Sequence, residues 1–260
     1  MKEVSEKLID KRKRSVARFL FKKSFLFVIL GLIIILILAW HIRTANVENL
    51  RDITTEGYTL GPDLDPFLFL RYAKYIVENG KLMQHDTMRY VPLGWDTSKE
   101  TRLLPYMIVY FHKALNLFSS KSIEYSAVMF PVFMFLLTIL AFFLFIRKVF
   151  EKNKYRDMIA IVASAFLTVS PSLLARTIAG IPEKESAGFF FMFLAFYFFL
   201  CSWNSEKGKK ALTFAFLSGL ATASMGLVWG GWIYIFTSIA LFAFISFIFG
   251  KIDKKRFLSY

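Results

Sequence analysis

Residues 211–250 read ALTFAFLSGLATASMGLVWGGWIYIFTSIALFAFISFIFG, forty consecutive residues without a charged side chain. At about 1.5 Å per residue, one helix of that length would measure about 60 Å, twice the roughly 30 Å hydrocarbon thickness of a bilayer. The stretch must therefore fold back on itself, and Gly226, Gly230 and Gly231 mark the predicted reversal. It predicts a hairpin of two membrane-spanning helices.

The rest of the chain has the same apolar character. Hydrophobic residues make up 56% of it and its mean hydropathy is +0.50, whereas soluble proteins average about 45–50% apolar. Four further apolar runs occupy residues 24–40, 125–146, 158–175 and 187–203. The single cysteine, Cys201, excludes an intrachain disulfide. The sequence therefore predicts an all-α polytopic protein of about six transmembrane helices, surrounded by membrane lipid.

The net charge of +14 lies entirely on one predicted side of the membrane. Residues 1–23, 147–157, 204–210 and 251–260 together hold 21 basic and 7 acidic residues, whereas 41–124 and 176–186 together hold 12 of each. Lysine and arginine accumulate on the cytoplasmic side of membrane proteins. We therefore expect a basic cytoplasmic N-terminus at 1–23, a cytoplasmic tail at 251–260, and external loops at 41–124 and 176–186. Topology accounts for the charge, so the sequence gives no indication of nucleic-acid binding.

The first external loop, residues 41–124, is long enough to hold structure of its own. Residues 66–80 are predicted to form a helix that Asp65 caps and Gly80 ends. Apolar residues recur at helical spacing from Leu104 to Phe118, which predicts an amphipathic helix along the membrane surface.

Two pairs of carboxylates face the predicted external side. Asp63 and Asp65 form the first pair, and Glu183 and Glu185 the second. Carboxylate oxygens are ligands for hard divalent cations, so each pair is a candidate metal ligand. Most isolated pairs of this kind are instead solvated surface or helix caps. The shared external face, in apolar surroundings, favours a functional role.

The residues around both pairs resemble a known family, the catalytic subunit of oligosaccharyltransferase, and are most similar to its archaeal single-subunit form. DLDPFLFLRY at 63–72 is similar to the family's first-loop motif, in which an acidic-x-Asp-Pro-aromatic run leads into a helix with an arginine, here Arg71. RTIAGIPEKE at 176–185 is similar to its Arg-x-x-Ala-Gly-x-x-acidic-x-acidic motif. YVPLG at 90–94 and WGG at 229–231 are weaker similarities.

This resemblance implies a C-type glycosyltransferase architecture with an extracytoplasmic active face, in the cell membrane or, in a eukaryote, the endoplasmic reticulum membrane. The implied reaction transfers an oligosaccharide from a dolichol-(pyro)phosphate carrier to the asparagine of Asn-x-Ser/Thr in an acceptor polypeptide. The resemblance assigns catalysis and a bound Mn²⁺ or Mg²⁺ to Asp65, Glu183 and Glu185. It assigns Arg176 to the lipid phosphate or to orienting those carboxylates, with Asp63 and Arg71 as motif neighbours.

Two departures from the family pattern bear on this interpretation. Position 183 is glutamate where family members more often have aspartate. Family members also continue into further spans and a soluble domain with a Trp-Trp-Asp-Tyr-Gly motif that reads the acceptor. The resemblance therefore implies the N-terminal portion of a truncated or split enzyme, completed by a separate C-terminal polypeptide, or a reduced paralogue. The alternatives are a protein O-mannosyltransferase-like enzyme of the same architecture and a non-catalytic membrane subunit.

Overall fold

The computed structural model describes residues 24–205, 208–252 and 256, and these residues are mainly helical. The predicted cytoplasmic segment 1–23 and most of 251–260 lie outside the described residues. The helices are α1 (Ser24–Thr44), α2 (Leu64–Asn79), α3 (Leu103–Leu115), α4 (Ile123–Val149), α5 (Arg156–Val169), α6 (Pro171–Thr177), α7 (Lys184–Trp203), α8 (Gly208–Val228) and α9 (Trp232–Ile248). Between α2 and α3 lies an antiparallel pair of two-residue strands, β1 (His85–Asp86) and β2 (Trp95–Asp96), and short 3₁₀ helices cover Val47–Leu50 and Thr97–Lys99.

The predicted class, an all-α polytopic membrane protein, is confirmed, but the helices differ in their capacity to span a bilayer. In the described part of the chain, four are long and apolar enough by themselves: α1 from Leu26 onward, α4, α7 and α8. A fifth span forms if α5 and α6 are counted as one bent segment. The predicted sixth span is α9, which is apolar but only 17 residues long. At about 1.5 Å per residue it measures about 25 Å, close to the lower limit for crossing a bilayer.

The apolar stretch that predicts a hairpin turns between Val228, where α8 ends, and Trp232, where α9 begins. Gly226, which was expected in the reversal, lies inside α8 instead. Gly231 is needed in the turn because a Cβ there would lie 2.4 Å from ring carbons of Trp229. The close approach of the Trp229 ring therefore requires a glycine at this turn.

The segment predicted as one span over 158–175 is broken into α5 and α6, which meet at an angle of 64°. Pro171 causes the break, because proline has no amide hydrogen and disfavours helical backbone in the preceding residue, here Ser170 with ψ 117°. The break frees the carbonyl of Thr168, which accepts a hydrogen bond from Arg43 Nη1 at 3.0 Å. Arg43 Nε also donates to Thr177 Oγ1 at 2.9 Å, so one buried arginine holds both halves of the bent segment.

The predicted external loop, residues 41–124, forms a compact layer against the N-terminal half of α4. The carboxylate of Asp63, rather than the predicted Asp65, caps α2, since it accepts a hydrogen bond from the amide of Leu64 at 2.7 Å. Asp65 lies in the first helical turn. The predicted end of this helix at Gly80 is confirmed, with the glycine in the left-handed region at φ 76°.

The second helix of this loop, α3, packs differently from the expectation. Its apolar face was predicted to lie on the membrane surface, but Leu104, Ile108 and Val109 are buried in one protein core with residues of α2 and α4. The helix ends at Leu115, and Phe118, which was included in the amphipathic pattern, lies beyond it and is exposed. The apolar face of α3, which the periodicity predicted to face lipid, is therefore buried against α2 and α4.

Backbone hydrogen bonds join the two motifs that the sequence separates. The amide of Gly61 donates to the carbonyl of Gly180 at 2.8 Å, and the amide of Gly180 donates to the carbonyl of Val128 in α4 at 2.9 Å. The amide of Ala179 donates to the carbonyl of Arg43 at 2.9 Å. The segment before α2 and the segment before α7 therefore lie side by side on α4, next to the end of α1.

Gly180→Ala should destabilise this junction by roughly 1–3 kcal/mol. Gly180 has φ 86°, and a Cβ there would lie 2.5 Å from Leu50 Cδ1 and 3.1 Å from the amide nitrogen of Gly61. The measurement is the unfolding temperature in detergent, followed by reaction of a thiol-specific dye with the buried Cys201. Gly219→Ala is the matched control, because Gly219 lies in α8 with open space around it and should be neutral or slightly stabilised. Equal unfolding temperatures for the two variants would contradict the described junction.

Candidate active site

Three charged side chains meet where the two motifs come together. Arg176, in the last turn of α6, forms an ion pair with Glu183 and lies 3.6 Å from the carboxylate of Asp63. Asp63 is at the N-cap of α2, and Glu183 is at the N-cap of α7. Both carboxylates therefore lie at the positive end of a helix, which stabilises negative charge.

The carboxyl group of Glu183 is the buried member of this cluster, with 6% of its side chain exposed. Burial, the largest cause, and a hydrogen bond with Asp63 raise its pKa to about 7, although Arg176 acts in the opposite direction. The same hydrogen bond from Glu183 is the main cause that lowers the pKa of Asp63. At Glu183, burial of the carboxyl group therefore outweighs the favourable charge of Arg176.

The other two predicted metal ligands are Glu185 and Asp65, and neither belongs to this three-residue cluster. Glu185 lies in the first turn of α7, where it is half-buried and its charge acts on both Glu183 and Arg176. Asp65 lies in the first turn of α2 and is exposed. The carboxylate that the structure brings against Glu183 is therefore that of Asp63, whereas the family resemblance assigns the metal to Asp65.

The predicted motif residue Arg71 has a different partner. Its guanidinium binds the carboxylate of Asp86 in a two-pronged ion pair, with one Nη1–Oδ1 distance of 3.0 Å. The hydroxyl of Tyr72 and the amide of Met88 also donate to Asp86, each at 3.0 Å. Burial alone would raise the pKa of Asp86, but these hydrogen bonds outweigh it and lower the pKa. Arg71 therefore anchors β1 to α2 rather than contacting the motif carboxylates.

Sequence reasoning did not single out several residues that organise this region. Arg43 follows an apolar run and was included only in the external loop, although it is fully buried. Asp86 and Glu100 stand alone in the sequence, outside any acidic pair, so no spacing pattern marks them. Their partners lie 15 and 11 residues away along the chain, and only the folded loop brings them together.

The donor chemistry of the cluster fits a divalent cation, although the ligands do not converge as they stand. In the described residues, no three His, Cys, Asp or Glu side chains are close enough together to hold a metal ion. Asp63 and Glu183 nonetheless lie side by side next to Arg176, and Glu185 is near enough for its charge to act on Glu183. Carboxylate oxygens are the ligands that hard divalent cations prefer.

Comparison with known proteins identifies the family of this fold. The family described as "Oligosaccharyl transferase STT3, N-terminal" matches residues 32–260. Among curated relatives, an Arabidopsis thaliana glycosyltransferase subunit, STT3B, is 23% identical over 204 residues, and a Methanococcus voltae glycotransferase is 22% identical over 211. Each alignment covers 76% of this chain but only 26% and 22% of the relative. The chain thus spans about a quarter of the length of these relatives.

Solved structures show the same fold. An Archaeoglobus fulgidus oligosaccharyltransferase, crystallised with Zn and sulfate, aligns with a TM-score of 0.74 at 23% identity, over 88% of this chain and 29% of that one. A second structure, with an inhibitory peptide and a dolichol-phosphate, aligns with a TM-score of 0.72 at 21% identity, over 86% and 26%. The family match favours neither of the alternatives that the sequence left open.

Glu183→Gln should flatten the dependence of stability on pH in metal-free protein. The folded-state pKa of about 7 lies above the unfolded value of roughly 4.3, so between these values the folded chain holds more protons and its stability falls as pH rises. Wild-type protein should be more stable at pH 5 than at pH 8, with a contribution from this group on the order of 1–3 kcal/mol. The measurement is thermal unfolding with chelator, followed by circular dichroism.

Asp65→Asn is the control for this pH experiment, because Asp65 is exposed and should leave the wild-type slope unchanged. The same pH slope in wild type and Glu183→Gln would contradict the buried placement of Glu183.

Proposed function

The chain belongs to the oligosaccharyl transferase STT3 family, and from this membership we propose that it forms the N-terminal membrane portion of an N-glycosylation enzyme. The proposed reaction transfers an oligosaccharide from a dolichol-(pyro)phosphate carrier to the asparagine of Asn-x-Ser/Thr in an acceptor polypeptide. The acceptor-reading groups would come from the remainder of a longer protein or from a separate C-terminal polypeptide.

One observation carries this proposal: Arg176 lies between Asp63 and Glu183 at the junction of the two motifs. The junction brings together residues about 120 positions apart, and it places the fixed positive charge of Arg176 beside the carboxylates of Asp63 and Glu183. Glycan transfer from a lipid phosphate to an amide needs both, because negative charge grows on the leaving phosphate while the amide N–H groups need acceptors.

The residues of this chain have distinct proposed tasks. Arg176 is 45% exposed at its side chain, so its guanidinium can reach an entering phosphate while it also orients Glu183. The carboxylates of Glu183 and Glu185 would accept hydrogen bonds from the acceptor amide and fix its nitrogen in front of the sugar carbon. Asp63 lies against Glu183 and is also 3.6 Å from Arg176, so it helps to fix the positions of both groups.

We assign a divalent cation, Mn²⁺ or Mg²⁺, to the junction of the two motifs. Asp65, Glu183 and Glu185 would hold it, and Glu183 must leave its ion pair with Arg176 at least in part to do so. When bound, the cation supplies charge neutralisation for the leaving phosphate and orientation for the carboxylates. The Zn in the Archaeoglobus fulgidus structure supports a divalent cation in this fold.

The proposed active face is extracytoplasmic, and thiol labelling tests it. Leu93→Cys, in the exposed turn between β1 and β2, should react with a membrane-impermeant maleimide on intact cells. Lys152→Cys, in the exposed turn between α4 and α5, should react only after permeabilisation. Both substitutions are made in a Cys201→Ala background. The reverse pattern of labelling would rule out the proposed orientation.

The proposed chemistry is tested in the complete enzyme, either the longer protein or this chain with its complementing polypeptide. Asp65→Ala or Glu183→Ala should lower glycan transfer from a lipid-linked donor to an Asn-x-Thr peptide at least about a hundredfold, the scale of losing one electrostatic stabiliser. Arg176→Ala should lower it less if its main task is to orient Glu183. Chelator should abolish transfer, and Mn²⁺ or Mg²⁺ should restore it.

Lys113→Ala is the control variant, since Lys113 lies exposed in the last turn of α3, outside both motifs. Full activity of Asp65→Ala, or indifference to chelator, would leave a non-catalytic membrane subunit as the better interpretation.

A further inference from the structure

The second acidic pair has a lysine, Lys184, between its members, and the ammonium of this lysine lies near a third carboxylate, that of Glu100. Lys184 Nζ lies 3.7 Å from Glu100 Oε2 in the external loop, and it also lies 5.6 Å from the centre of the Phe69 ring. Only 28% of the Lys184 side chain and 17% of the Glu100 side chain are exposed. The ammonium therefore points toward α2 and the loop that precedes α3.

The carboxylate of Glu100, which lies near the Lys184 ammonium, is held in position by Arg89. Arg89 Nη1 donates to Glu100 Oε1 at 2.9 Å, and the same nitrogen lies 3.2 Å from the Tyr72 hydroxyl. The Arg89 guanidinium also lies 5.3 Å from the Trp95 ring. With one carboxylate oxygen on Arg89 and the other near Lys184, Glu100 bridges the loop and the start of α7.

Without this partner, nearby negative charge would attract the ammonium. Lys184 follows Glu183 and precedes Glu185 in the first turn of α7, and a flexible four-carbon stem lets a lysine reach neighbouring carboxylates. Opposite unit charges attract strongly at such short range, because little water screens partly buried groups. An ammonium against Glu183 or Glu185 would neutralise the charge that a divalent cation needs.

We infer that Glu100 is a positioning residue that sequesters Lys184, so that Glu183 and Glu185 keep their negative charge available for a divalent cation. This inference rests on the proposed function for the existence of that cation. Glu100 itself does not bind the cation; it acts only through Lys184. Removal of Glu100 therefore lets the Lys184 ammonium compete with the divalent cation for Glu183 and Glu185. Removal of Lys184 as well should restore cation binding.

The test is a double-mutant cycle on Mn²⁺ affinity, measured for the full 260-residue chain in lipid nanodiscs from the electron paramagnetic resonance signal of free Mn²⁺. Glu100→Gln should weaken binding about tenfold, Lys184→Met should bind at least as tightly as wild type, and Glu100→Gln/Lys184→Met should match Lys184→Met within about twofold. Glu78→Gln is the matched control: it removes one exposed external carboxylate in α2 and should leave the affinity within about twofold of wild type.

Recovery of Mn²⁺ affinity in the double variant distinguishes this positioning role from a purely structural role of Glu100. If loss of Glu100 only loosened the loop, the loop would stay loose, and Mn²⁺ binding weak, when Lys184 is also replaced. Weak binding by the double variant, or wild-type affinity in Glu100→Gln, would overturn the inference while leaving the cation site standing. Absence of saturable Mn²⁺ binding in the wild type would overturn both the inference about Glu100 and the proposed cation site. If Glu100→Gln fails to fold, Glu100→Asp keeps the charge near Arg89 on a shorter stem and should show the same weakening and rescue to a smaller degree.

Discussion

The hydrogen bond from the amide of Gly61 to the carbonyl of Gly180 is the contact on which the arrangement of the site depends. It fixes two chain segments at a separation that only glycine permits, since a Cβ on Gly180 would strike Leu50 and crowd the Gly61 amide. Each segment runs directly into a helix, so joining the segments also joins the N-termini of α2 and α7. The carboxylates of Asp63 and Glu183 occupy these two N-cap positions, and that is why they meet.

The bent α5–α6 segment supplies the third member of the cluster, and its stability rests on Arg43. An unbroken helix would carry Arg176 onward along the α5 axis; the 64° bend at Pro171 directs it elsewhere. A buried guanidinium is costly to desolvate, and Arg43 has no carboxylate partner among its described contacts. The Thr168 carbonyl, the Thr177 hydroxyl and the face of the Phe135 ring, 3.3 Å away, offset that cost. Arg43 therefore stabilises the break that places Arg176 beside Asp63 and Glu183.

The sequence predicts features that follow from local chemistry. Apolar length predicts the spans, and the left-handed preference of glycine predicts the end of α2 at Gly80. It does not predict features that depend on distant partners. The helix was predicted to begin at Pro66 with Asp65 as its cap, yet Asp63 makes the capping bond and Pro66 occupies the third helical position, where no intrahelical amide bond is lost. The apolar face of α3 carries the same periodicity whether lipid or protein covers it, so only the fold decides between them.

Ion pairs rather than a large core hold the segment between α2 and α3 in place. A two-residue sheet buries little apolar surface, so the segment between α2 and α3 depends on the buried carboxylate of Asp86 and its bonds to Arg71 and Tyr72. Breaking a buried pair costs more than the pair contributes, because the remaining charge stays desolvated; the loop is therefore fixed in one arrangement. The same hydroxyl of Tyr72 contacts Arg89, and Arg89 orients Glu100. The loop holds the carboxylate of Glu100 within reach of α7 because this chain of alternating charges begins at the buried carboxylate of Asp86 in β1.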